Sequence, residues 1–249
     1  REMSLRPQRG ALMQTADSSV TLDELVQYKH STRMALADRV LPDLLTAARA
    51  NSDADARKAA DVLEKWDRSA DVESRGAVLF EAWAHSWYEA SKGPPFAHPW
   101  RLDSALTTPN GLRNAAVAAK ALGDAARATV KAHGALDVKY GDVNRLRYAG
   151  KDLPGNGGPG DLLGIFRVAY YAPDKDGKAQ IVAGDTYYQA VEFSNPVRAK
   201  VLIAYGNSSQ AGSKHMGDQL EMFSRKEMRD AWRTRKEVEA HVESKVTIP

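Results

Sequence analysis

The sequence contains no cysteine, which removes disulfides, thiolate metal sites and cysteine nucleophiles. No apolar run approaches the ~20 residues of a membrane-spanning helix, so membrane insertion is not expected. The six histidines form no HxxxH or HxH pair, which leaves a metal site without support. Gly-x-Ser-x-Gly never occurs, so there is no nucleophile elbow of the common serine-hydrolase type. Charge of one sign is also scarce. Lysines and arginines exceed acidic residues by only +3 in formal charge and are interleaved with them. A nucleic-acid partner needs a clustered basic stripe, and neither that nor an RNP, zinc-knuckle or helix-turn-helix signature is present.

What is present is an ordinary globular composition, 43% hydrophobic and 27% charged over 249 residues. The first half reads as helices. Thr21 precedes Asp23 and Glu24 as a capping threonine would, and apolar residues from Leu22 to Leu45 recur at helical spacing. Pro42 is expected to kink or split this stretch. A second helix is expected from Asp53 to Trp66, capped by Ser52 or Asp53. A third runs from about Val72 to Ala90 with a bulky stripe including Trp83 and Trp87, and two alanine-rich helices follow near 110–121 and 123–133. Residues 150–160 look too rich in glycine and proline for regular structure. After them the period changes from 3.6 to 2, with strands expected at Leu163–Tyr171, from Ile181 or Thr186 to Phe193, and at Ala199–Tyr205. Residues 207–217 read as a polar loop and Ser224 to Val242 as a charged helix. The expected class is α+β with an antiparallel sheet. The organisation is a mainly helical 1–140, a connection at 141–160, sheet strands at 161–206, and a loop and C-terminal helix at 207–249.

Candidate chemistry is sparse. His30 and His85 sit inside expected helices, His85 beside Trp83 and Trp87, which favours packed or capped structural roles. His98, His133 and His241 read as surface residues. His215 lies in the unusual polar loop, as do Ser208, Ser209 and Ser213, which have no obvious basic partner. Glu192 interrupts an otherwise apolar strand on the face of Tyr188 and Ala190. A carboxylate there needs a partner. Either it pairs with Arg198 or Lys200 on a neighbouring strand, or it orients a catalytic group from another segment.

Three runs carry a resemblance. Gly184-Asp185-Thr186-Tyr187 is followed by Val191-Glu192-Phe193, then by the stretch from Tyr205-Gly206-Asn207-Ser208-Ser209-Gln210 to His215. Asp218 to Phe223 and Trp232 to His241 continue it, and it extends upstream to 140–160 and more loosely to the start. In order and spacing these resemble the penicillin-acylase family, most closely the branch of acyl-homoserine lactone and aculeacin-type acylases.

The resemblance implies part of an αββα N-terminal-nucleophile hydrolase sandwich, from an exported precursor that cuts itself into two chains. It places the protein in the periplasm or outside the cell. The nucleophile would be the first serine of the β-chain, with its own α-amino group as base. An oxyanion hole would include an asparagine side chain. The sequence opens with Arg1-Glu2-Met3, and no segment matches the asparagine motif. The resemblance therefore implies the C-terminal part of a β-chain, not an independent domain. Its partners would be the remaining α- and β-chain segments and a small acyl-amide substrate, with no cofactor. Two auxiliary residues carry over: Arg6, where the family has an arginine shortly after the oxyanion asparagine, with Arg9 as the alternative register, and Glu192. The implied activity is deacylation of N-acyl-homoserine lactones, with acylated β-lactams as further substrates. The alternative is a non-catalytic binding or structural protein that retains the scaffold.

Overall fold

The computed structural model describes residues 2–248; Arg1 lies outside them. The chain opens with α1 (Leu5–Thr15) and α2 (Leu22–Lys29). Helix α2 begins as its sequence dictates. The Thr21 side chain accepts from the Glu24 N–H, and the Glu24 carboxylate accepts from the Thr21 N–H at 2.8 Å, a reciprocal cap. Next comes α3 (Ala35–Arg49), which contains Pro42. The apolar stretch therefore breaks before α3 and not at the proline. The cause is tertiary. Ser31 O accepts from Arg167 N–H, Thr32 O accepts from Ala70 N–H, and Met34 N–H donates to Arg68 O, at 2.9 to 3.0 Å. Backbone groups committed to distant segments cannot continue a helix. Pro42 itself sits on the exposed face.

Helix α4 (Ala54–Lys65) is capped by Asp53, and α5 (Ala77–Ala90) starts later than expected. Residues 72–75 are held instead by 139–141: Val72 O and Ser74 O each accept a backbone N–H at 2.9 Å. After a two-stranded ribbon of β1 (Phe96–His98) and β2 (Asn110–Leu112) comes α6 (Ala115–His133). It is one helix, not two. Gly123 is there for close approach: a Cβ at this position would collide with the Asp53 carboxylate that caps α4. Its alanine-rich flanks carry the helix through.

Helices α3 to α6 enclose the larger core. Trp66, Phe80, Trp83 and Trp87 form a ladder with successive ring centroids 5.0 Å apart, and Trp83 Nε1–H donates to Ala118 O at 3.0 Å. Each ring buries a large apolar area, and the one polar atom of Trp83 has its partner.

A short helix α7 (Tyr140–Val143) leads into the sheets. Strands β3 (Asn144–Tyr148) and β4 (Lys151–Pro154) form a tight hairpin through Ala149-Gly150, both at positive φ, the two-residue turn that suits strand twist. Regular structure thus enters the glycine- and proline-rich stretch. Pro154 is tolerated because β4 is an edge strand and Pro154 ends it. Helix α8 (Gly160–Leu163) precedes β5 (Ala169–Pro173) and β6 (Ala179–Gly184), giving a four-stranded sheet of order β4-β3-β6-β5. One pairing in it, β3 with β6, is parallel, against the expected all-antiparallel sheet. The second expected strand is two: β7 (Tyr187–Glu192) belongs to another sheet with β8 (Arg198–Ile203) and the short β9 (Arg229–Asp230). Gly184 permits the break, with φ at +156° and no room for a Cβ against Val168 O.

A smaller core of Leu146, Ile181, Tyr188, Leu202, Leu220 and Phe223 joins the two sheets and α9 (Leu220–Ser224). The expected long terminal helix is instead β9 and a five-residue α10 (Arg235–Glu239) held by a Thr234–Glu237 capping box. None of its residues is buried, so no apolar stripe extends it. No helix among the described residues is long and apolar enough to cross a membrane.

Candidate functional site

Arg6, the first residue implicated by the sequence, is the second residue of α1. Its Nε–H reaches Phe166 O at 3.4 Å, its guanidinium stands 5.2 Å from the Phe166 ring centre, and it approaches Asp185 at 3.7 Å. Lys29, the last residue of α2, ion-pairs with the same carboxylate at 2.5 Å. Asp185 is positioned by the chain's turn out of β6, and its carboxylate also accepts from Val168 N–H at 3.2 Å. Two cations therefore converge on one carboxylate at the junction of α1, α2 and the sheets. The ammonium of Lys29 lies 4.4 Å from the Tyr188 ring centre. Burial holds its pKa below the usual lysine value, with Asp185 opposing the shift. Beside it opens an apolar cleft of about 190 Å³, lined by Met13, Leu25, Phe166, Ala190 and Met228 with Lys29 at its edge.

Glu192 ends β7 and forms an ion pair with Arg198, its direct cross-strand neighbour on β8. The Arg198 hydrogen bond holds the carboxyl below its ordinary range. This is the cross-strand pairing weighed from the sequence. No hydrogen bond or ion pair joins Glu192 to Arg6, so the structure does not assemble the two into one constellation.

Sequence reasoning missed the buried centre of the junction. Arg167 is 0% exposed and has no carboxylate within ion-pair distance among the described residues. It donates to Phe223 O at 2.5 Å, meets His30 Nδ1 at 2.6 Å and lies 4.3 Å from the Phe223 ring centre. His30, the C-cap of α2, is 4% exposed and packs edge-on against Tyr188. Burial first, then the charges of Arg167, Lys226 and Lys29, lower its pKa to about 3, so the ring stays neutral. The only sequence signal was the place of His30 within an expected amphipathic helix, which favoured a packed role without naming its partner.

The other candidates fall elsewhere. His85 is exposed, contrary to expectation, because the tryptophan ladder occupies the opposite face of α5. His215 bridges Asp218 at 3.0 Å and Glu243 at 3.2 Å, which raises its pKa. Ser213 Oγ accepts from the His215 N–H, and Ser208 Oγ from Gln210 N–H; both shape the loop. Among the described residues no serine hydroxyl is hydrogen-bonded to a histidine or lysine side chain, and no group of three His, Asp or Glu is placed to hold a metal. The arrangement can hold anionic or carbonyl groups. It contains no paired nucleophile and base.

The family model described as penicillin amidase matches residues 3–240. The chain belongs to the penicillin amidase family. Arg6, Lys29, His30, Arg167, Asp185 and Glu192 all lie inside the matched span. Among relatives, an acyl-homoserine lactone acylase of Pseudomonas fluorescens is 33% identical over 219 residues, covering 84% of this chain and 27% of its own length. A Pseudomonas syringae acyl-homoserine lactone acylase is 34% identical over 209 residues, covering 77% of this chain and 25% of its own length. The aculeacin-A acylase of Actinoplanes utahensis is 28% identical over 235 residues, 89% of this chain and 28% of that protein. The chain thus spans about a quarter of the length of these relatives. A thermostable penicillin G acylase from Alcaligenes faecalis has the same fold, with a TM-score of 0.54 at 14% identity, over 98% of this chain and 52% of that one. The α+β chain is therefore a piece of the penicillin acylase fold.

Proposed function

We propose that this chain is the distal part of the β-chain of an N-terminal-nucleophile amidohydrolase that removes the acyl group from N-acyl-homoserine lactones. The carrying observation is the 33% identity to an acyl-homoserine lactone acylase over most of this chain but a quarter of that protein. The nucleophilic serine and the oxyanion asparagine then belong to another segment, in keeping with the lack of a serine–base pair among the described residues. Arg6 has an auxiliary role in this reading, holding the junction of α1 with the sheets toward that segment. Glu192 fixes the end of β7 through Arg198. The enzyme matures from a self-cleaving precursor in the periplasm or outside the cell, and its loss of acyl chains would quench a quorum signal. Acylated β-lactams share the scissile amide and are second-rank substrates.

The test is intact mass and N-terminal sequencing of the native protein beside an assay of decanoyl-homoserine lactone hydrolysis. Co-purifying chains, one beginning with serine, together with homoserine lactone release support the reading. A single 27.2 kDa species without activity contradicts it and leaves a retained, non-catalytic scaffold.

A further inference from the structure

The last stretch of the chain is fastened to the body at one residue. After Ala231, whose N–H donates to Ala199 O at 2.9 Å, the chain turns back on itself. The Trp232 and His241 rings stack with centroids 3.8 Å apart, and His241 Nδ1 donates to Glu237 O at 2.7 Å. Helix α10, between the two rings, buries none of its residues. Among the described residues, the hydrogen bonds and ion pairs that tie 233–248 to the rest of the chain all end on Glu243. Its carboxylate meets Lys214 Nζ at 2.6 Å and His215 Nε2 at 3.2 Å, both in the polar loop 207–217.

The same imidazole holds a second carboxylate. His215 Nδ1 lies 3.0 Å from Asp218 Oδ2, and the other Asp218 oxygen accepts from Asn207 N–H at 3.3 Å. Ionised carboxylates only accept, so both ring nitrogens must donate, and only the imidazolium has two N–H groups. Asp218, Glu243 and, through Glu243, Lys214 are the charged groups gathered round the ring among the described residues. The hydrogen bond to Asp218 and the charge of Glu243 outweigh desolvation and raise its pKa. A neutral ring can keep one of the two bonds. The Asp218 contact is the shorter, lies three residues away, and its carboxylate is anchored by Asn207, so the remaining proton stays on Nδ1. Nε2 then turns a lone pair toward the Glu243 carboxylate.

We propose that His215 is a pH-operated clasp for the C-terminal segment: the imidazolium fastens Glu243 to the loop 207–217, and loss of the Nε2 proton releases it. The proton leaves to solvent, to which the side chain is 35% exposed. The contact is complete below pH 6.5, the ordinary histidine value, and is lost as the pH rises through the raised value of the clasped ring. Lys214 keeps its own hold on Glu243, so the segment loosens and its open state becomes more populated. Residues 233–248 then move about Trp232, where the backbone bond of Ala231 ends the anchored part. The clasp does not depend on the acylase reading.

The chain has no cysteine of its own, so spin labels attached through Gln210→Cys and Val246→Cys report the distance from loop to tail in the native protein. Both positions are exposed. The distance distribution is measured at pH 6 and pH 8.5 in the labelled parent and in the same protein carrying His215→Gln or Glu243→Gln. The ratio of short to long distances should fall by about two- to fivefold at the higher pH in the parent, the size expected of one exposed ion pair. The change should vanish in both variants. Glu243 lies on the surface, so its variant tests the clasp without disturbing the core. Equal distributions at the two pH values in the parent overturn the proposal, and so does a pH response that persists in either variant.

Discussion

The helical half and the junction of α1 and α2 with the sheets bury side chains by different rules. Around α3 to α6 the core is aliphatic and aromatic, and the buried indole N–H groups of Trp66 and Trp83 both have backbone partners. At the junction the buried groups include Arg167, His30, Asn156 and Tyr188. Of the six buried side-chain atoms without a partner among the described residues, five belong to this region, counting Arg9, and one, Thr129, to α6. A core satisfied within itself serves stability. At the junction the buried cation Arg167 is held by a backbone carbonyl, a neutral imidazole and an aromatic ring rather than by a carboxylate.

The largest expected effect is on the helical side. Trp83→Ala removes the middle of the ladder and should cost about 3–5 kcal/mol, read from urea unfolding. A loss below about 1 kcal/mol would break the comparison by showing that the helical core is not the tightly packed one.

The junction should respond to pH instead. His30 is neutral when folded down to about pH 3, against an ordinary value of 6.5. Below pH 6.5 the unfolded chain takes up a proton that the folded one refuses. The stability tied to this ring is therefore complete above about pH 6.5 and declines toward pH 3, at about 1.4 kcal/mol per pH unit inside that window. The difference in unfolding free energy between wild type and His30→Gln, measured at pH 7, 6 and 5, should shift by that slope. A difference independent of pH would mean that His30 is not held neutral.

A smaller effect is expected at the entrance to the junction. Thr21→Ala removes the side-chain half of the α2 cap, leaving the backbone N–H of residue 21 to the Glu24 carboxylate, and should cost about 1 kcal/mol by urea unfolding. An unchanged midpoint would mean that packing of α2 against β7 and β8, not its cap, sets the helix.

These elements also mark what the sequence made legible. Caps are local chemistry, so Thr21 and Asp53 announced α2 and α4 directly. The break before α3, the late start of α5 and the unbroken α6 each depend on a segment far away in the chain, and no short window contains it. Gly123 reads as a helix end until the Asp53 carboxylate is seen against it. The site was legible in the same measure. Arg6 and Glu192 stood out through family resemblance and an interrupted strand. Arg167 did not, because an arginine in a strand-like run looks exposed until the fold buries it, and His30 read only as a packed helix residue with no sign of its Arg167 partner. His85 misled in the opposite direction, since neighbours in sequence point to different faces of a helix.

The smallest effect belongs to Glu192→Gln. Its ion pair with Arg198 sits at the open end of β7, where solvent screens it, so unfolding should show no measurable change. A clear loss of activity in the same variant, with stability intact, would give Glu192 a functional role beyond the strand end.

The most direct test of the central claim is to label the active enzyme with a serine-reactive sulfonyl fluoride and map the modified peptide by mass spectrometry. The account predicts a label on a serine that begins a different segment and none on any peptide from residues 1–249. A stoichiometric label within this chain, at Ser213 for example, with matching loss of acylase activity, would contradict it.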